Sequence, residues 1–272
     1  MTGPRIVVLA DGAELARRGA DHVCASLERA VRERGRAHLA LTGGTTAGIL
    51  YRALASAPHR DCIDWQAVEL WWGDDRFVPF DHRDSNVLLV EETLLGIGRP
   101  DPGRNPEGIV IPLANVHPFP IPDAEANGEG PDGCAVRYER ELQARVPLDG
   151  RGVPVFDLVL LGVGPDGHIL SCFPGSPLVD APAPPVCAGV PAPTAVTPRV
   201  RRVTCSPRIV EAAREVLVLV TGSGKAGILR EVLTGPRNAS RLPAVIAARE
   251  GATWLLDAAA AAGLPAGVAA ES

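Results

Sequence analysis

Short apolar runs alternate along this chain with longer stretches in which apolar residues recur every three or four positions. The short runs predict buried strands, whereas the longer stretches predict helices with one apolar face. Residues 13–34, for example, place Leu15, Ala20, Val23 and Leu27 on one side of a helix. The predicted strands are residues 6–10, 37–42, 68–72, 203–204, 216–221 and 254–256, and the predicted helices are residues 13–34, 46–55, 85–95, 134–146, 207–214 and 224–233.

Strands and helices alternate through most of this order, which is typical of a parallel sheet whose strands are joined by crossover helices. We therefore expect an α/β fold with a mostly parallel, doubly wound, Rossmann-like sheet and helices on both faces. The chain has 272 residues, of which 46% are hydrophobic, and no internal repeat, so we expect residues 1–272 to form a single α/β domain. Residues 98–133 and 174–198 interrupt the alternation and are interpreted as long loops beside the site.

Composition excludes several classes of partner. A net charge of −5 gives no basic surface for nucleic acid, and no apolar run reaches the roughly 18 residues that a membrane span needs. The six cysteines show neither a C-x-x-C pair nor the spacing of metal ligands. Since the first residues also lack a signal-peptide core, we expect a cytoplasmic protein with free thiols and no metal site.

The segment from residue 156 to residue 174 carries the first candidate for chemistry. An apolar strand, broken only by Asp157, runs there into a glycine-rich turn that holds Asp166 and His168. Ligands of open parallel sheets bind at the carboxyl ends of the strands. Because the pKa of an unperturbed imidazole lies near neutrality, His168 is a candidate base for deprotonating water. The alternative is a solvated or hydrogen-bonded loop histidine without a catalytic role.

Two nucleotide-binding motifs are matched only in part. Residues 162–167 fit G-x-G-x-x-G, but Pro174 and Pro177 interrupt the helix that a dinucleotide-binding turn requires, and nicotinamide binding is a minor alternative. Residues 221–225 resemble part of a Walker A loop. That motif needs a glycine where Leu219 stands and a Ser or Thr where Ala226 stands, which excludes an NTPase loop.

A candidate phosphate site lies at a predicted strand-to-helix junction, at Gly43, Gly44, Thr45 and Thr46. Glycines let the backbone approach an anion closely, and the first amides of a helix supply donors together with threonine hydroxyls. The alternative is an ordinary turn in which Thr45 or Thr46 caps the helix. Lys225 is the only lysine of the chain, and its place in a glycine turn at a predicted helix start favours a need for a compact ammonium group.

Another polar cluster follows the predicted strand 68–72. Arg76 is a candidate ligand for a phosphate or carboxylate, and Asp74 for a sugar hydroxyl or another side chain. The alternative is a surface ion pair within the turn, worth at most about 1 kcal/mol. Because the carboxyl ends of parallel strands meet at one edge, we expect this cluster to converge with those at Gly43, His168 and Lys225.

The order of these motifs resembles one protein family. The chain contains, in sequence, LTGGTT, WWGDDRFVP with a following DSN, FDLVLLGVGPDGH with SCFPG, then RVT, TGSGKAGIL, LPA and WLLD. This order is similar to that of the 6-phosphogluconolactonases, in the glucosamine-6-phosphate isomerase/6-phosphogluconolactonase family, over about residues 7–260.

Some positions depart from the usual wording of that family. Ala47 and Cys172 replace a proline and a leucine, and Asp75 replaces the glutamate of G-D-E-R. The segment before RVT also differs, so Arg199, Arg201 and Arg202 are all candidates for the arginine that faces the substrate. The match to R-[IV]-T favours Arg202.

The resemblance implies hydrolysis of a phosphosugar lactone, 6-phospho-D-glucono-1,5-lactone, without metal or cofactor. His168 would then be the general base, and Asp166 would fix the tautomer of its imidazole or the turn itself. We expect a monomer whose partner is this small molecule. The residues that would bind it are Gly43, Gly44, Thr45, Thr46, Arg202 and Lys225 around the phosphate, and Asp74 and Arg76 around the sugar and its carbonyl.

Two other functions remain open. Glucosamine-6-phosphate deaminase is similar in its G-G-x-T and lysine motifs, but it has D-E-Y where this chain has Asp74, Asp75 and Arg76. It also has an acid after its histidine motif, whereas none follows His168 within the turn. A non-catalytic sugar-phosphate sensor is the second alternative. Such regulators carry a separate DNA-binding segment, for which we expect no room before the strand that begins at Ile6.

Overall fold

A parallel sheet forms the centre of the computed structural model, which describes residues 3–95 and 108–268. Seven strands pair in parallel, and helices pack around them, which confirms the expected mostly parallel, Rossmann-like α/β fold. The strands of the described residues are β1 Arg5–Leu9, β2 Ala37–Leu41, β3 Val68–Trp72, β4 Asp74–Arg76, β5 Val116–His117, β6 Leu158–Leu161, β7 Cys187–Val190, β8 Arg202–Cys205, β9 Glu215–Val220 and β10 Ala252–Asp257.

The order of the strands in the parallel sheet indicates where a ligand site is expected. In space this order is β1, β10, β9, β6, β2, β3 and β5. From β1 the chain crosses to β2 and continues outward to β3 and β5, whereas from β6 it runs in the opposite direction to β9 and β10. The direction therefore reverses between the neighbours β2 and β6, which pair at Leu39 with Leu158 and at Ala40 with Val159. The crevice outside the carboxyl ends of such a pair is the usual ligand site of open α/β sheets.

The helices begin and end at identifiable signals. In α1 the Asp11 carboxylate accepts hydrogen bonds from the N–H groups of Ala13 and Glu14 at the start, and Gly35 ends the helix at a left-handed φ of 74°. The helices are α1 Gly12–Arg34, α2 Thr45–Leu54, α3 His59–Cys62, α4 Asn86–Thr93, α5 Ile121–Ala126, α6 Gly130–Arg145, α7 Pro177–Asp180, α8 Arg208–Ala212, α9 Ala226–Thr234 and α10 Ala258–Ala261.

A second, antiparallel sheet stands beside the parallel one and contains β4, β8 and β7 in that order. The predicted strand 203–204 lies in β8, so it does not join the parallel sheet that the alternation predicted. The cause is the chain direction at Gly73, whose N–H donates to the carbonyl of Leu41 at 2.9 Å and whose carbonyl accepts from the N–H of Cys205 at 2.8 Å. The chain leaves the parallel sheet at this glycine, and β4, which follows it, pairs with β8 outside that sheet.

Both predicted long loops contain regular structure. Within 98–133, residues 98–107 lie outside the described residues, and the rest holds β5, α5 and the start of α6. Within 174–198 the structure has α7 and β7. The loop interpretation was wrong for these parts because the elements are only a few residues long, too short to show the periodicity of a helix or strand, and because they are rich in Pro and Gly.

The cysteines differ from the expectation at one pair. Cys24 on α1 and Cys62 on α3 form a disulfide, with their Cα atoms 6.5 Å apart, so the prediction of free thiols was wrong for these two residues. Their separation of 38 residues gives no spacing signal, and only the packing of α3 against α1 brings them together. The other four cysteines are free and buried: Cys134, Cys172, Cys187 and Cys205.

Two fully buried tyrosines form hydrogen bonds with the backbone at the ends of β2 and β3, beside the crevice. The Tyr51 hydroxyl donates to the carbonyl of Thr42 at 2.6 Å and accepts from the N–H of the same residue at 3.0 Å. The Tyr138 hydroxyl accepts from the N–H of Trp72 at 2.8 Å. Both pair backbone groups that β2 and β3 leave without a partner strand. No helix of the described residues is at once long and apolar enough to cross a membrane.

Tyr51→Phe should destabilise the protein, because it leaves the buried N–H and carbonyl of Thr42 unpaired. We expect the free energy of unfolding to fall by about 1–3 kcal/mol. Urea unfolding followed by circular dichroism measures this change. Tyr138→Phe removes the corresponding partner at Trp72 and should give a loss of similar size. An unfolding free energy of Tyr51→Phe equal to that of the wild type would contradict this account of the strand end.

Candidate active site

A cleft of about 590 Å³ lies at the carboxyl ends of β2 and β6, at the reversal point of the sheet. This volume is within the usual range for small-molecule sites. The structure thus brings the four predicted clusters together, although Asp166 supports the cleft from behind His168 and does not line it. The lining residues are 42–47, Asp74, Arg76, Asn86, 161–165, His168, Leu170, 195–197, Arg202, 219–221 and Lys225.

The turn between β2 and α2 has the geometry expected of an anion cradle. Gly44 occupies the N-cap position with φ 97° and has no side chain to satisfy the first amides of α2, so neither Thr45 nor Thr46 caps the helix. The Thr46 hydroxyl is 2.8 Å from that of Thr221, at the end of β9. Gly43 must lack a side chain, because a Cβ there would lie 2.0 Å from the Asn86 amide oxygen. The first amides of α2 consequently face the cleft without competition from a cap.

Lys225 ends the 3₁₀ turn Ser223–Lys225, and its side chain extends to the segment that follows β6. Its ammonium donates to the carbonyl of Val163 at 2.7 Å. Partial burial lowers the pKa of Lys225, and the nearby carboxylate of Asp166 acts in the opposite direction. The ammonium keeps donors available for a ligand, since one backbone carbonyl satisfies only part of its hydrogen-bonding capacity.

Arg76 and Arg202 lie directly opposite each other on β4 and β8. Arg76 donates to the carbonyl of Asp84 at 2.6 Å, and Arg202 donates to that of Pro198 at 3.1 Å. The Nε atoms of both are buried and have no hydrogen-bond partner among the described residues. Burial lowers the pKa of Arg202, and the carboxylate of Asp74 opposes this shift.

Only one of the three candidate arginines before and within β8 reaches the cleft. Arg202 is 3% exposed and lines it, whereas Arg199 and Arg201 are exposed and do not. The Arg201 guanidinium instead lies over the Phe77 ring, 5.3 Å from its centroid. The placement agrees with the choice of Arg202 from the R-[IV]-T motif.

His168 is held on three sides. Its Nδ1 is 2.5 Å from a carboxylate oxygen of Asp166, and its ring centroid is 4.6 Å from that of Phe173. Gly164 lies against the ring, because a Cβ there would be 2.0 Å from Nδ1. Burial would raise the pKa of Asp166, but the hydrogen bond and charge of His168 outweigh it and lower that pKa. With Nδ1 bound to an acceptor, Nε2 is the atom free to take a proton.

Asp74 and Asp75 serve the structure in different ways. Asp75 is fully buried and accepts hydrogen bonds from the N–H groups of Arg76 and Asn86, both at 2.7 Å. Burial raises the pKa of Asp75 to about 7, although these N–H groups favour the carboxylate. Asp74 accepts a hydrogen bond from the Ser171 hydroxyl at 2.6 Å. The sequence motif had singled out Asp74 for a ligand or another side chain, and the structure shows a side-chain partner.

Sequence reasoning missed several residues at the cleft. Asn86 donates to the carbonyl of Asp74 at 2.9 Å, while its amide oxygen is buried without a partner among the described residues. The DSN helix start pointed to this segment without assigning it a role. Thr221 and Ser171 lie in the TGSGK and SCFPG motifs, but the sequence analysis assigned neither of them a role. Within the described part of the chain, no group of three or more His, Cys, Asp or Glu side chains is arranged to hold a metal ion.

The fold and the cleft define an α/β protein with a cation-lined site at the switch point of its sheet. The profile of the glucosamine-6-phosphate isomerases/6-phosphogluconolactonase family matches residues 10–255. The chain therefore belongs to this family, as the motifs predicted.

Individual relatives match along nearly the whole chain. The 6-phosphogluconolactonase of Streptomyces coelicolor is 36% identical, over 96% of this chain and 95% of the relative. That of Synechocystis is 32% identical, over 93% and 95% of the two chains. The solved structure of the 6-phosphogluconolactonase from Trypanosoma brucei is 30% identical, covers 96% and 99% of the two chains and superposes with a TM-score of 0.81.

Proposed function

We propose that this protein hydrolyses 6-phospho-D-glucono-1,5-lactone to 6-phospho-D-gluconate, a reaction of the oxidative pentose phosphate pathway. Relatives with this activity in their names support the proposal. The observation that carries it is the Asp166–His168 pair at the edge of a cleft that also holds Lys225, Arg76 and Arg202. A base beside a set of cations suits an anionic substrate that must be attacked by water.

The cradle and two cations bind the phosphate in this proposal. Gly43, Gly44, Thr45 and Thr46 present amides and hydroxyls at the start of α2, and Lys225 and Arg202, which also line the cleft, supply positive charge. Binding energy from the phosphate, which does not react, holds the lactone ring against the catalytic groups. The net negative charge of the chain does not oppose this, because local donors determine anion binding.

His168 supplies the chemistry. Its Nε2 takes a proton from water as the water oxygen adds to the lactone carbonyl carbon, and Asp166 stabilises the imidazolium that forms. Arg76 stabilises the negative charge on the carbonyl oxygen, and Asp74 positions the sugar. The bond from the carbonyl carbon to the ring oxygen then breaks, and the imidazolium returns a proton to that oxygen. The product carboxyl group releases its own proton to solvent.

The proposal extends to the context of the reaction. The chain works as a single α/β domain and as a cytoplasmic monomer, with no nucleic acid, membrane, metal or cofactor in its activity. The family name also covers an isomerase, so the family alone does not choose between the two reactions. Arg76 lining the cleft at the position of the deaminase tyrosine, and the lack of an acid after His168 in its turn, favour the lactonase.

The lactone assay tests this proposal directly. Base uptake at constant pH, with fresh 6-phosphogluconolactone and an enzyme-free blank, should show catalysed opening that survives exhaustive EDTA treatment, since His168 activates the water. Glucosamine 6-phosphate should release no ammonia above the blank. Ammonia release at a rate comparable to lactone opening would favour the deaminase, and loss of lactonase activity on chelation with recovery on adding zinc would show a metalloenzyme.

His168→Ala should remove the base and leave the phosphate site in place. We expect kcat to fall by about 10²-fold or more with little change in KM. The steady-state rates are measured with the same lactone, and circular dichroism checks that the variant is folded. His59→Ala is the matched control, because His59 lies on α3 away from the cleft and should retain wild-type kcat. Near wild-type turnover in His168→Ala would exclude this base.

Lys225→Ala should weaken ground-state binding. Loss of a charge-assisted hydrogen bond to the phosphate corresponds to about 1.5–3 kcal/mol, or roughly 10- to 150-fold in affinity. Calorimetric titration with 6-phosphogluconate measures the affinity. Arg137→Ala is the control, because it removes a cation that pairs with Glu129 on the surface. Unphosphorylated gluconolactone should be a poor substrate of the wild type, and an equal kcat/KM for both lactones would rule out the phosphate cradle.

A further inference from the structure

The loop that carries His168 is attached to the antiparallel sheet by a buried serine. Ser171 is completely buried, and its hydroxyl donates to the Asp74 carboxylate at 2.6 Å. Its N–H donates to the hydroxyl of Thr204 on β8 at 3.1 Å. Asp74 and Thr204 are themselves opposite each other in the pairing of β4 with β8. Ser171 therefore joins the loop to both strands at one point.

The residue before Ser171 has an unfavourable backbone conformation. Leu170 has φ 55°, in the left-handed region, which is unfavourable for a residue with a Cβ. Such a conformation persists only where the surroundings determine it. Leu170 is buried and packs so closely on Gly73 that a Cβ on this glycine would lie 2.7 Å from the leucine side chain. The contacts of Ser171 and Gly73 thus hold the loop in a shape that it would not adopt alone.

We infer that Ser171 and Asp74 form a latch that sets the position of the His168 imidazole, and that Asp74, beside its proposed contact with the sugar, positions His168 through Ser171. Only Ile169 and Leu170 separate the latch from His168. Beyond the latch, Phe173 returns to contact the imidazole. A shift of Ser171 therefore moves both the backbone of the base and the ring that packs against it. The inference rests on the proposed lactonase function, because it assigns His168 as the base.

Ser171→Ala tests the latch in the intact protein. We expect kcat to fall by about 10-fold, while KM stays within about 2-fold of the wild type, because the phosphate ligands are unchanged. Ser206→Ala is the matched control. Ser206 is equally buried, lies just after β8, and its hydroxyl has no hydrogen-bond partner among the described residues. This control should keep wild-type kcat. A rise in KM at constant kcat in Ser171→Ala would overturn the latch.

A double-mutant cycle tests whether Asp74 acts through Ser171. If the two residues form the latch, kcat of the double variant should be less than about 2-fold below that of Asp74→Ala alone, because Asp74→Ala has already broken the contact. If the two residues act separately, their fold losses multiply, and the inference is wrong. Urea unfolding of each variant confirms that the kinetic parameters refer to folded protein.

Hydrogen exchange separates this inference from the proposed function. The peptide that spans residues 166–173 should exchange faster in Ser171→Ala than in the wild type or in Ser206→Ala, because the latch no longer protects the loop. Unchanged exchange would overturn the latch even if the lactone is hydrolysed. Conversely, a wild type without lactonase activity would disprove the proposed function, while faster exchange would still show the latch.

Discussion

Parallel strands that end at a cleft leave backbone N–H and carbonyl groups without a partner strand, and the architecture of this site depends on pairing them. Buried side chains do so after β2, β3 and β9. Tyr51 pairs both backbone groups of Thr42, and Asp257 accepts from the N–H of Gly222 at 3.0 Å. Asp75 does the same for the start of α4. Unpaired buried groups of this kind cost about 1–3 kcal/mol each, so these partners stabilise the edge at which the cleft lies.

The same edge concentrates positive charge. Arg76 and Arg202 are direct cross-strand partners, and like charges in that position destabilise a sheet. Burial also lowers the pKa of Arg202 and of Lys225, because it removes water from their charged forms. An anion in the cleft relieves this repulsion. A bound anion would therefore stabilise this part of the structure, which supports the proposal of a phosphorylated ligand.

Sequence reasoning succeeded where the signal is local. The short apolar runs predicted the strands of the parallel sheet, and the turn at Gly43 and Gly44 lies at the strand-to-helix junction that the sequence predicted. It failed where partners are far apart in the chain. The disulfide between Cys24 and Cys62 depends on the packing of two helices, and β8 joins β4 only because the chain turns out of the parallel sheet at Gly73.

His168 combines the two kinds of signal. Its pairing with Asp166 is a contact between residues two apart, made possible by Gly167 at φ 83°, and the D-G-H motif therefore reveals it. Its position depends on Ser171 and Asp74, which are 97 residues apart and form a single hydrogen bond. The local sequence thus reveals the Asp166–His168 pair, whereas the position of that pair depends on contacts between residues that are distant in the sequence. Substitutions on β4 should consequently affect His168, in the loop after β6, without contacting it directly.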